Sequence, residues 1–298
     1  MQVKHISVCI CTFQRPHLLK RLLLELGRQE TEGEFTYSIV VADNDHRQSA
    51  KPVVEEMRKA VPVPIDYSVE PHQNIALARN KAIENATGDY VAFIDDDEFP
   101  ATNWLLKLSQ ACGEHRVDGA LGPVKPFFEQ APPRWLVRGR FCERPEYPTG
   151  TVVCWREGRT GNVLFRKRIL AGIGEPFRRQ FGSGSEDTDF FRRMVDEGHV
   201  FTWCNEAVVY ETVPPERWKR CYLLKRALLR GQNQRHLAGF RSIAKSVIAI
   251  PIYAILLPFL LLLGQHVCMR YLIKLSDHAG KLLAFLCLKP LGDKYITG

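Results

Sequence analysis

The strongest group of reactive side chains in this sequence is a run of four acids, Asp95-Asp96-Asp97-Glu98, directly after the apolar residues 91–94. Four negative charges at the end of a buried segment repel one another unless a cation neutralises them. Oxygen ligands suit Mg²⁺ or Mn²⁺, which can bridge the two phosphates of a nucleotide diphosphate. Asp95 and Asp97, two residues apart, are the candidate ligands. The alternative is a solvated acidic turn that caps the next helix, but the preceding apolar strand favours the metal site.

Two further polar clusters also follow apolar segments. Asp43, in Ala42-Asp43-Asn44-Asp45, could accept the imide N–H of uracil or contact a ribose. The alternative is a turn with Asp and Asn in their usual roles, which is the simpler interpretation of these residues alone. Arg79, in the run from Asn74 to Asn80, could turn toward a diphosphate because a guanidinium matches phosphate oxygens. The alternative is a surface arginine on a helix.

A fourth cluster, Gly184-Ser185-Glu186-Asp187-Thr188-Asp189, opens a helix predicted at residues 186–197. Carboxylates at a helix N-terminus are favoured by the helix dipole, which is one explanation for them. The functional explanation is a general base that takes a proton from an acceptor hydroxyl. Asp187 is the candidate base, ahead of Glu186 and Asp189.

The elements that must position these clusters alternate along the first 125 residues. Apolar runs predict strands at residues 5–11, 37–42, 65–69, 90–94 and 119–124, and helical spacing predicts helices at 16–28, 52–60, 75–85 and 103–112. This alternation predicts an α/β fold with a mostly parallel sheet covered on both faces, and ligands in such sheets bind beyond the carboxyl ends of the strands. Residues 125–161 are expected to be irregular, as an acceptor-side lobe. Residues 200–204 and 207–210 are predicted to be closing strands.

Composition sets the class of protein. A chain of 298 residues, 45% of them hydrophobic, can bury one large core or one domain plus an appendage. The nine cysteines are scattered without a C-x-x-C pair, which predicts reduced thiols in a cytosolic protein and no structural zinc. The first seven residues lack the apolar stretch of a secretory signal, so the front of the chain is expected to stay in the cytoplasm.

The C-terminal part of the chain combines a basic block with apolar stretches. Nine basic residues and only Glu216 as an acid lie between Thr212 and Lys245, so this block carries the formal charge of +8. Residues 247–263 carry no charge but include Pro251 and Pro258, and a second apolar stretch covers residues 282–288. The length, prolines and flanking charges allow a spanning or re-entrant hairpin, an interfacial helix pair or a soluble core helix. A basic helix is expected at about residues 216–237. The block lacks a nucleic-acid recognition motif, so no nucleic-acid partner is expected.

Taken in order, these clusters resemble the family 2 glycosyltransferases, which have the GT-A fold. The matching stretches lie at residues 7–16, 40–45, 74–80, 88–98 and 186–187, and the resemblance covers about residues 6–215. Within the family, the chain looks most like bacterial enzymes that extend lipid-linked oligosaccharides for exopolysaccharides, including the succinoglycan glucosyltransferase type. This likeness rests on Cys9-Ile10-Cys11-Thr12, Asp96-Asp97-Glu98, residues 186–191 and residues 211–214.

The resemblance implies a role for each matching residue. Thr12, Phe13 and Arg15 would line the nucleotide pocket, Asp43 would contact the base, and Arg79 would hold the ribose or diphosphate. Asn74 and Asp96 would belong to the same donor site. Asp95 and Asp97 would hold ribose and metal, with Asp97 the better metal ligand and Asp95 the better ribose contact, and Asp187 would be the base.

The sequence departs from the family pattern at two points. It lacks the Q-x-x-R-W motif of processive polysaccharide synthases, so we expect one sugar to be added per encounter. Many members place a histidine metal ligand shortly after the final strand, where this chain has Tyr210-Glu211, so Glu211 is the candidate substitute.

The sequence therefore predicts a GT-A catalytic domain at residues 1–215 and a membrane-associating helical appendage at 216–298. The expected reaction is inverting transfer of a sugar, with Mg²⁺ or Mn²⁺, from a nucleotide-sugar donor, with UDP preferred, to a lipid-linked saccharide acceptor. The expected location is the cytoplasmic face of the inner membrane, peripheral or anchored by the C-terminal segment. The rival hypotheses are a sugar nucleotidyltransferase, which usually has a glycine-rich loop after its first strand, and a non-enzymatic scaffold at the membrane surface.

Overall fold

A computed structural model describes residues 4–182, 184–233 and 240–288 of the chain. A seven-stranded sheet has the strand order β3-β2-β1-β4-β8-β6-β9. Its strands are β1 (Lys4–Thr12), β2 (Phe35–Asp43), β3 (Ile65–Val69), β4 (Tyr90–Ile94), β6 (Gly119–Leu121), β8 (Asn162–Arg166) and β9 (Phe201–Trp203). A second sheet has the order β5-β10-β7, from β5 (Glu98–Pro100), β7 (Val124–Phe127) and β10 (Val209–Thr212).

The helices before residue 200 are α1 (Pro16–Leu26), α2 (Lys51–Ala60), α3 (Ile75–Asn85), α4 (Trp104–Glu114), α5 (Arg134–Gly139) and α6 (Glu186–Asp196). The mostly parallel sheet with flanking helices confirms the predicted fold class. β1 pairs in parallel with β2 and with β4, while β8 runs antiparallel to both β4 and β6.

The large sheet buries both of its faces because side chains alternate along each strand. Ile6, Val8 and Ile10 of β1 pack into one apolar cluster, which also holds the buried faces of α1, α2 and α4. Cys9 of β1 packs into a second cluster, together with the apolar residues of α3 and α6. β1 is therefore apolar along most of its length, as expected for a strand covered on both sides.

The structure corrects several sequence predictions. β8 and β5 were not predicted, and the strand expected at residues 119–124 is two strands, β6 and β7. The segment 125–161, expected to be irregular, contains α5. The apolar stretch at 282–288 begins inside one helix that runs from Gln265 to Phe285. Short segments and long-range antiparallel pairing leave little periodic signal, which explains the missed strands.

The C-terminal helices are α7 (Arg220–Asn233), α8 (Phe240–Leu262) and α9 (Gln265–Phe285). The basic helix expected at about 216–237 begins instead at Arg220, and residues 234–239 lie outside the described residues. By Cα proximity, the chain divides into one unit of residues 1–125, 144–182 and 186–211 and a second unit of residues 126–143, 183–185 and 212–298. Residues 126–143 are thus grouped with the C-terminal helices. The predicted domain boundary at residue 215 stays a prediction.

Candidate active site

The ends of β1, β2 and β4 lie side by side at one edge of the large sheet. In the register, Thr12 of β1 pairs with Asp43 of β2, and Cys9 pairs with Phe93, two residues before Asp95. Parallel neighbours expose their carboxyl ends at the same edge, so the side chains that follow β1, β2 and β4 meet there. The structure therefore brings two of the four clusters chosen from the sequence, those at Asp43 and at Asp95, to the same place as the turn after β1.

Asp96 binds back onto the end of β1. The Thr12 hydroxyl donates to Asp96 Oδ2 at 2.7 Å, and Arg15 Nη1 lies 3.2 Å from Asp96 Oδ1 and 3.3 Å from Asp97 Oδ2. Burial, reinforced by the charge of Asp97 and opposed by Arg15 and Thr12, raises the pKa of Asp96 to about 7. Arg15 therefore neutralises part of the charge of the acidic turn.

Arg79, a residue of α3, extends its side chain toward the acidic turn. Its side chain is buried, with 6% of the residue exposed, so the alternative of a surface arginine is wrong. Nη2 donates to Asp95 Oδ1 at 3.4 Å, and Nη1 forms an ion pair with Glu186 at the start of α6. These two carboxylates raise the pKa of Arg79 against the effect of its burial, so the guanidinium is held charged beside the acidic turn.

Glu186 and Asp187 have different surroundings. Glu186 is 5% exposed, and burial raises its pKa to about 7, opposed by Arg79 and reinforced by Asp187. Asp187 is half-buried, and its Oδ1 accepts the Thr188 N–H at 2.7 Å. Glu186 is therefore buried and paired with Arg79 through Oε1, whereas the adjacent Asp187 is partly exposed to solvent.

Asp43 and Asn74 have clear structural roles. Asp43 is fully buried and accepts hydrogen bonds from the backbone N–H of Asp45 and Ala50 and from the Tyr67 hydroxyl, at 3.1, 2.9 and 2.9 Å. These contacts fit the turn interpretation, and a contact with a nucleotide base stays a prediction. Asn74 is the N-cap of α3, where its side chain accepts from Ala76 and Leu77. Both residues thus shape the backbone at this edge of the sheet.

Phe13 is the third residue, with Thr12 and Arg15, that the sequence assigned to a nucleotide pocket. It directly follows Thr12, the last residue of β1, and it is half-buried. Gln14, the next residue, has a positive φ of 54°. The chain therefore turns sharply here, between β1 and the helix that begins at Pro16, and the turn sets Arg15 against the acidic residues.

Glu98 and Arg144 were not chosen from the sequence, yet both belong to this cluster. Glu98 of β5 pairs in register with Glu211 of β10, and Arg144 Nη2 donates to Glu211 Oε2 at 2.5 Å. Glu98 is 1% exposed, and its Oε2 accepts the Asp95 N–H at 3.0 Å. Its Oε1 has no hydrogen-bond partner among the residues that the structure describes. Glu98 was visible in the acidic run, but no local pattern marks Arg144, which lies far from Glu211 in the sequence.

The carboxylates suit a divalent cation in their chemistry. Asp95, Asp97 and Glu211 offer oxygen ligands, and the buried Oε1 of Glu98 lies beside Asp95. Within the described ranges, no group of three or more His, Cys, Asp and Glu side chains converges to hold a metal ion. Arg15 and Arg144 instead neutralise Asp97 and Glu211. The residues fit Mg²⁺ or Mn²⁺ by ligand type.

Comparison of the sequence with known families identifies the class of protein. The family described as "Glycosyl transferase family 2" matches residues 7–173. The chain belongs to glycosyltransferase family 2. This family 2 glycosyltransferase is 36% identical over 235 residues to the succinoglycan biosynthesis protein ExoM of Rhizobium meliloti (strain 1021), covering 78% of this chain and 75% of that protein. It is 24% identical over 243 residues to chondroitin synthase of Escherichia coli, covering 70% of this chain but 35% of that larger protein.

Solved structures confirm the GT-A fold of this glycosyltransferase. S. aureus TarS 1-349 in complex with UDP-GlcNAc superposes with a TM-score of 0.57 at 17% identity, covering 96% of this chain and 93% of that one. Mannosyltransferase PcManGT from Pyrobaculum calidifontis, in complex with GDP-Man and Mn²⁺, gives a TM-score of 0.57 at 18% identity, covering 96% and 76%. At these identities the likeness shows the fold alone.

Proposed function

We propose that this glycosyltransferase transfers one sugar per encounter, with inversion, from a nucleotide-diphosphate sugar to a lipid-linked saccharide in the synthesis of a cell-surface polysaccharide. The observation that carries the proposal is the buried Arg79, held between Asp95 and Glu186, with the half-buried Asp187 next to Glu186. This arrangement places a fixed positive charge and a solvent-accessible carboxylate at the same edge of the sheet. In the proposed displacement at the anomeric carbon, the positive charge stabilises the departing diphosphate and the carboxylate accepts the proton of the acceptor hydroxyl.

The donor is proposed to lie over the ends of β1, β2 and β4. The proposed donor-binding residues are Thr12, Phe13, Arg15, Asp43, Asn74, Arg79, Asp95 and Asp96. Arg79 would stabilise the negative charge that builds on the departing nucleoside diphosphate, because a preorganised guanidinium needs no reorientation during the reaction. UDP is the preferred nucleotide in this proposal. The solved TarS 1-349 complex with UDP-GlcNAc supports a nucleotide-sugar at this fold.

Asp187 is the proposed catalytic base. It would accept the proton of the acceptor hydroxyl as that oxygen attacks the anomeric carbon, and the bond from that carbon to the diphosphate oxygen would break in the same step. Because Glu186 is buried and paired with Arg79, the more exposed Asp187 is the carboxylate proposed to receive the proton. A divalent cation bound by Asp97, Asp95 and Glu211 would supply further charge neutralisation for the diphosphate.

Two observations support the proposed acceptor and location. The relative ExoM is named for succinoglycan biosynthesis and matches most of this chain. The segment Ser242–Leu262 of α8 is long and apolar enough to cross a membrane, with a mean hydropathy of 2.1 over 18 residues, of which 6% are buried. We therefore place the proposed reaction at the cytoplasmic face of the cell membrane, where a lipid-linked saccharide would be reached, with residues 216–298 as the membrane-associating part.

The test is a thermal-shift screen of the full chain with UDP-, GDP- and dTDP-sugars in the presence of Mn²⁺. A ligand that binds only the folded protein increases the free energy of unfolding, by about 2.7 kcal/mol at a hundredfold excess over its dissociation constant. The melting temperature rises as a result. We expect one UDP-sugar to give the largest shift and to release UDP when a lipid-linked saccharide is added. Binding of a sugar 1-phosphate with a nucleoside triphosphate, and formation of a nucleotide-sugar, would support a nucleotidyltransferase instead. Absence of any nucleotide-sugar binding would favour a scaffold.

A further inference from the structure

The second unit contains a layer of three helices. α9 packs against α7 on one side and against α8 on the other. α8 and α9 form a hairpin whose turn is at Leu263 and Gly264, where Gly264 adopts a φ of 123°. This turn is called the hairpin tip below. The layer therefore has two outer helices of different character, α7 and α8.

α8 presents a large apolar surface. Ile248, Ile255 and Phe259 are 63%, 67% and 64% exposed, and Leu262 at the hairpin tip is 85% exposed. Soluble proteins rarely leave a continuous row of large apolar side chains exposed to water, so α8 requires an apolar environment. Length and composition alone would allow it to cross a bilayer. The neighbours of the hairpin discriminate between crossing the bilayer and lying along its surface.

α7 follows α9 closely along much of its length and is basic on its exposed side. Arg220 Nη2 donates to Gln265 Oε1 at 2.6 Å at the start of both helices, and Arg230 Nε donates to Asp277 Oδ1 at 2.8 Å further along. The two backbones are in close contact there, since a Cβ on Gly231 would overlap the Asp277 carbonyl oxygen. α7 therefore cannot separate from α9 without breaking these contacts.

α5 brings further cations to the hairpin tip. Arg270 Nη2 donates to the Gly139 carbonyl at 3.4 Å, and the Arg220 guanidinium lies 5.4 Å from the centroid of the Trp135 ring. Leu136 of α5 is buried in one apolar cluster with Met269 of α9. Arg134 and Arg138 are exposed and make no hydrogen bond or ion pair with the residues that the structure describes. Two unpaired arginines and a tryptophan therefore lie beside the first turns of α9.

We propose that α8 lies in the plane of an anionic lipid surface, within one leaflet, and does not span the bilayer. Insertion of the hairpin tip-first would carry α5 and α7, which are packed on α9, into hydrocarbon with their arginines, and charged side chains there are costly. In the plane of the surface, α8 contacts acyl chains, Trp135 lies at the boundary, and Arg134 and Arg138 reach lipid phosphates. This inference rests on the membrane location in the proposed function.

The first test measures flotation of the full chain with phosphatidylcholine vesicles and with vesicles of equal parts phosphatidylcholine and phosphatidylglycerol. We expect binding to the anionic vesicles, weakened by the double substitution Arg134→Ala and Arg138→Ala by about fivefold for each arginine. The matched control, Lys51→Ala with Lys59→Ala on α2, removes the same charge from exposed positions of the first unit and should bind as the unchanged chain does. Equal loss in both double variants, or no loss in either, overturns the role given to α5.

The second test reports the side of the membrane on which the hairpin tip lies. Gln265→Cys places a thiol at an exposed position next to the tip. An impermeant maleimide should label it above the background of the natural cysteines in inverted membrane vesicles, but not in intact spheroplasts. Labelling from outside intact spheroplasts overturns the proposal and establishes a spanning hairpin. If the full chain binds neither vesicle, the proposed surface is wrong, while nucleotide-sugar binding by the same preparation would leave the proposed glycosyl transfer standing.

Discussion

Arg79 Nη2 lies 3.4 Å from Asp95 Oδ1, so a helix that follows β3 supplies the cation for the acidic turn that follows β4. The same guanidinium binds Glu186, the first residue of α6. One buried arginine therefore connects the proposed donor site to the helix that carries the proposed base. Substitutions around this arginine give the sharpest tests of the site.

Arg79→Met should destabilise the protein as well as weaken donor binding. Removal of one partner of a buried ion pair leaves the other charge uncompensated, which costs about 3–5 kcal/mol. Urea denaturation without nucleotide measures this loss. Arg79→Met combined with Glu186→Gln should recover much of the stability without restoring donor binding. An unchanged urea midpoint for Arg79→Met would show that the pair contributes nothing to the fold.

Asp187→Asn should lower kcat by about 10²–10⁴, the usual contribution of a general base, and leave the thermal shift caused by the donor unchanged. The amide keeps the shape of the side chain but cannot accept the proton of the acceptor hydroxyl. Asp196→Asn, at the last residue of the same helix, is the matched control and should keep normal turnover. Near-normal turnover by Asp187→Asn would remove Asp187 from the mechanism.

Gly161→Ala should disturb the acidic cluster without changing its charges. A Cβ at this position would lie 2.8 Å from Glu98 Oε1 and 3.1 Å from Asp95 Oδ2, so these carboxylates must shift. We expect weaker donor binding, measured by titration calorimetry with a nucleotide-sugar. Gly174→Ala is the control, because its Cβ meets nothing within 4 Å. Equal donor affinity in both variants would place the donor away from Asp95.

Asp97→Ala should weaken Mn²⁺-dependent donor binding, because Asp97 is the preferred metal ligand among the acidic residues. Titration of Mn²⁺ in the presence of the nucleotide-sugar measures this, and removal of the metal with a chelator should lower the affinity of the unchanged protein to a similar degree. If the Mn²⁺ titration of Asp97→Ala matches that of the unchanged chain, Asp97 is not a ligand.

Arg144→Gln tests whether Glu211 is a metal ligand. Arg144 binds Glu211 Oε2 at 2.5 Å, so a cation that uses Glu211 must compete with this guanidinium. Removal of the competing charge should tighten Mn²⁺ binding severalfold, and Glu211→Gln should weaken it. Electron paramagnetic resonance of free Mn²⁺ measures both affinities without turnover. Unchanged affinity in both variants would leave Glu211 as a structural partner of Arg144.

The sequence alone was sufficient for the fold class and the family, and for the choice of most residues that the structure gathers around Arg79 and the acidic turn. The donor-binding roles of these residues stay predictions. Strands such as β3 and β4 and the helix α3 have the predicted bounds, because continuous apolar runs and helical spacing are local properties of the chain. The acidic turn was recognisable for the same reason. Four adjacent carboxylates after an apolar strand need no tertiary information to be noticed.

The tertiary structure alone decided which partners these residues have. The Arg79–Glu186 pair, the Glu98–Glu211 register and the Arg144–Glu211 contact join residues that are distant in sequence, and local periodicity carries no signal for such pairs. It also decided that α5 packs on α9 beside the hairpin tip, since a six-residue helix in a proline- and arginine-rich segment has no pattern of its own. Side-chain types are written in the sequence, but the distances between them are fixed only when the chain buries its apolar faces.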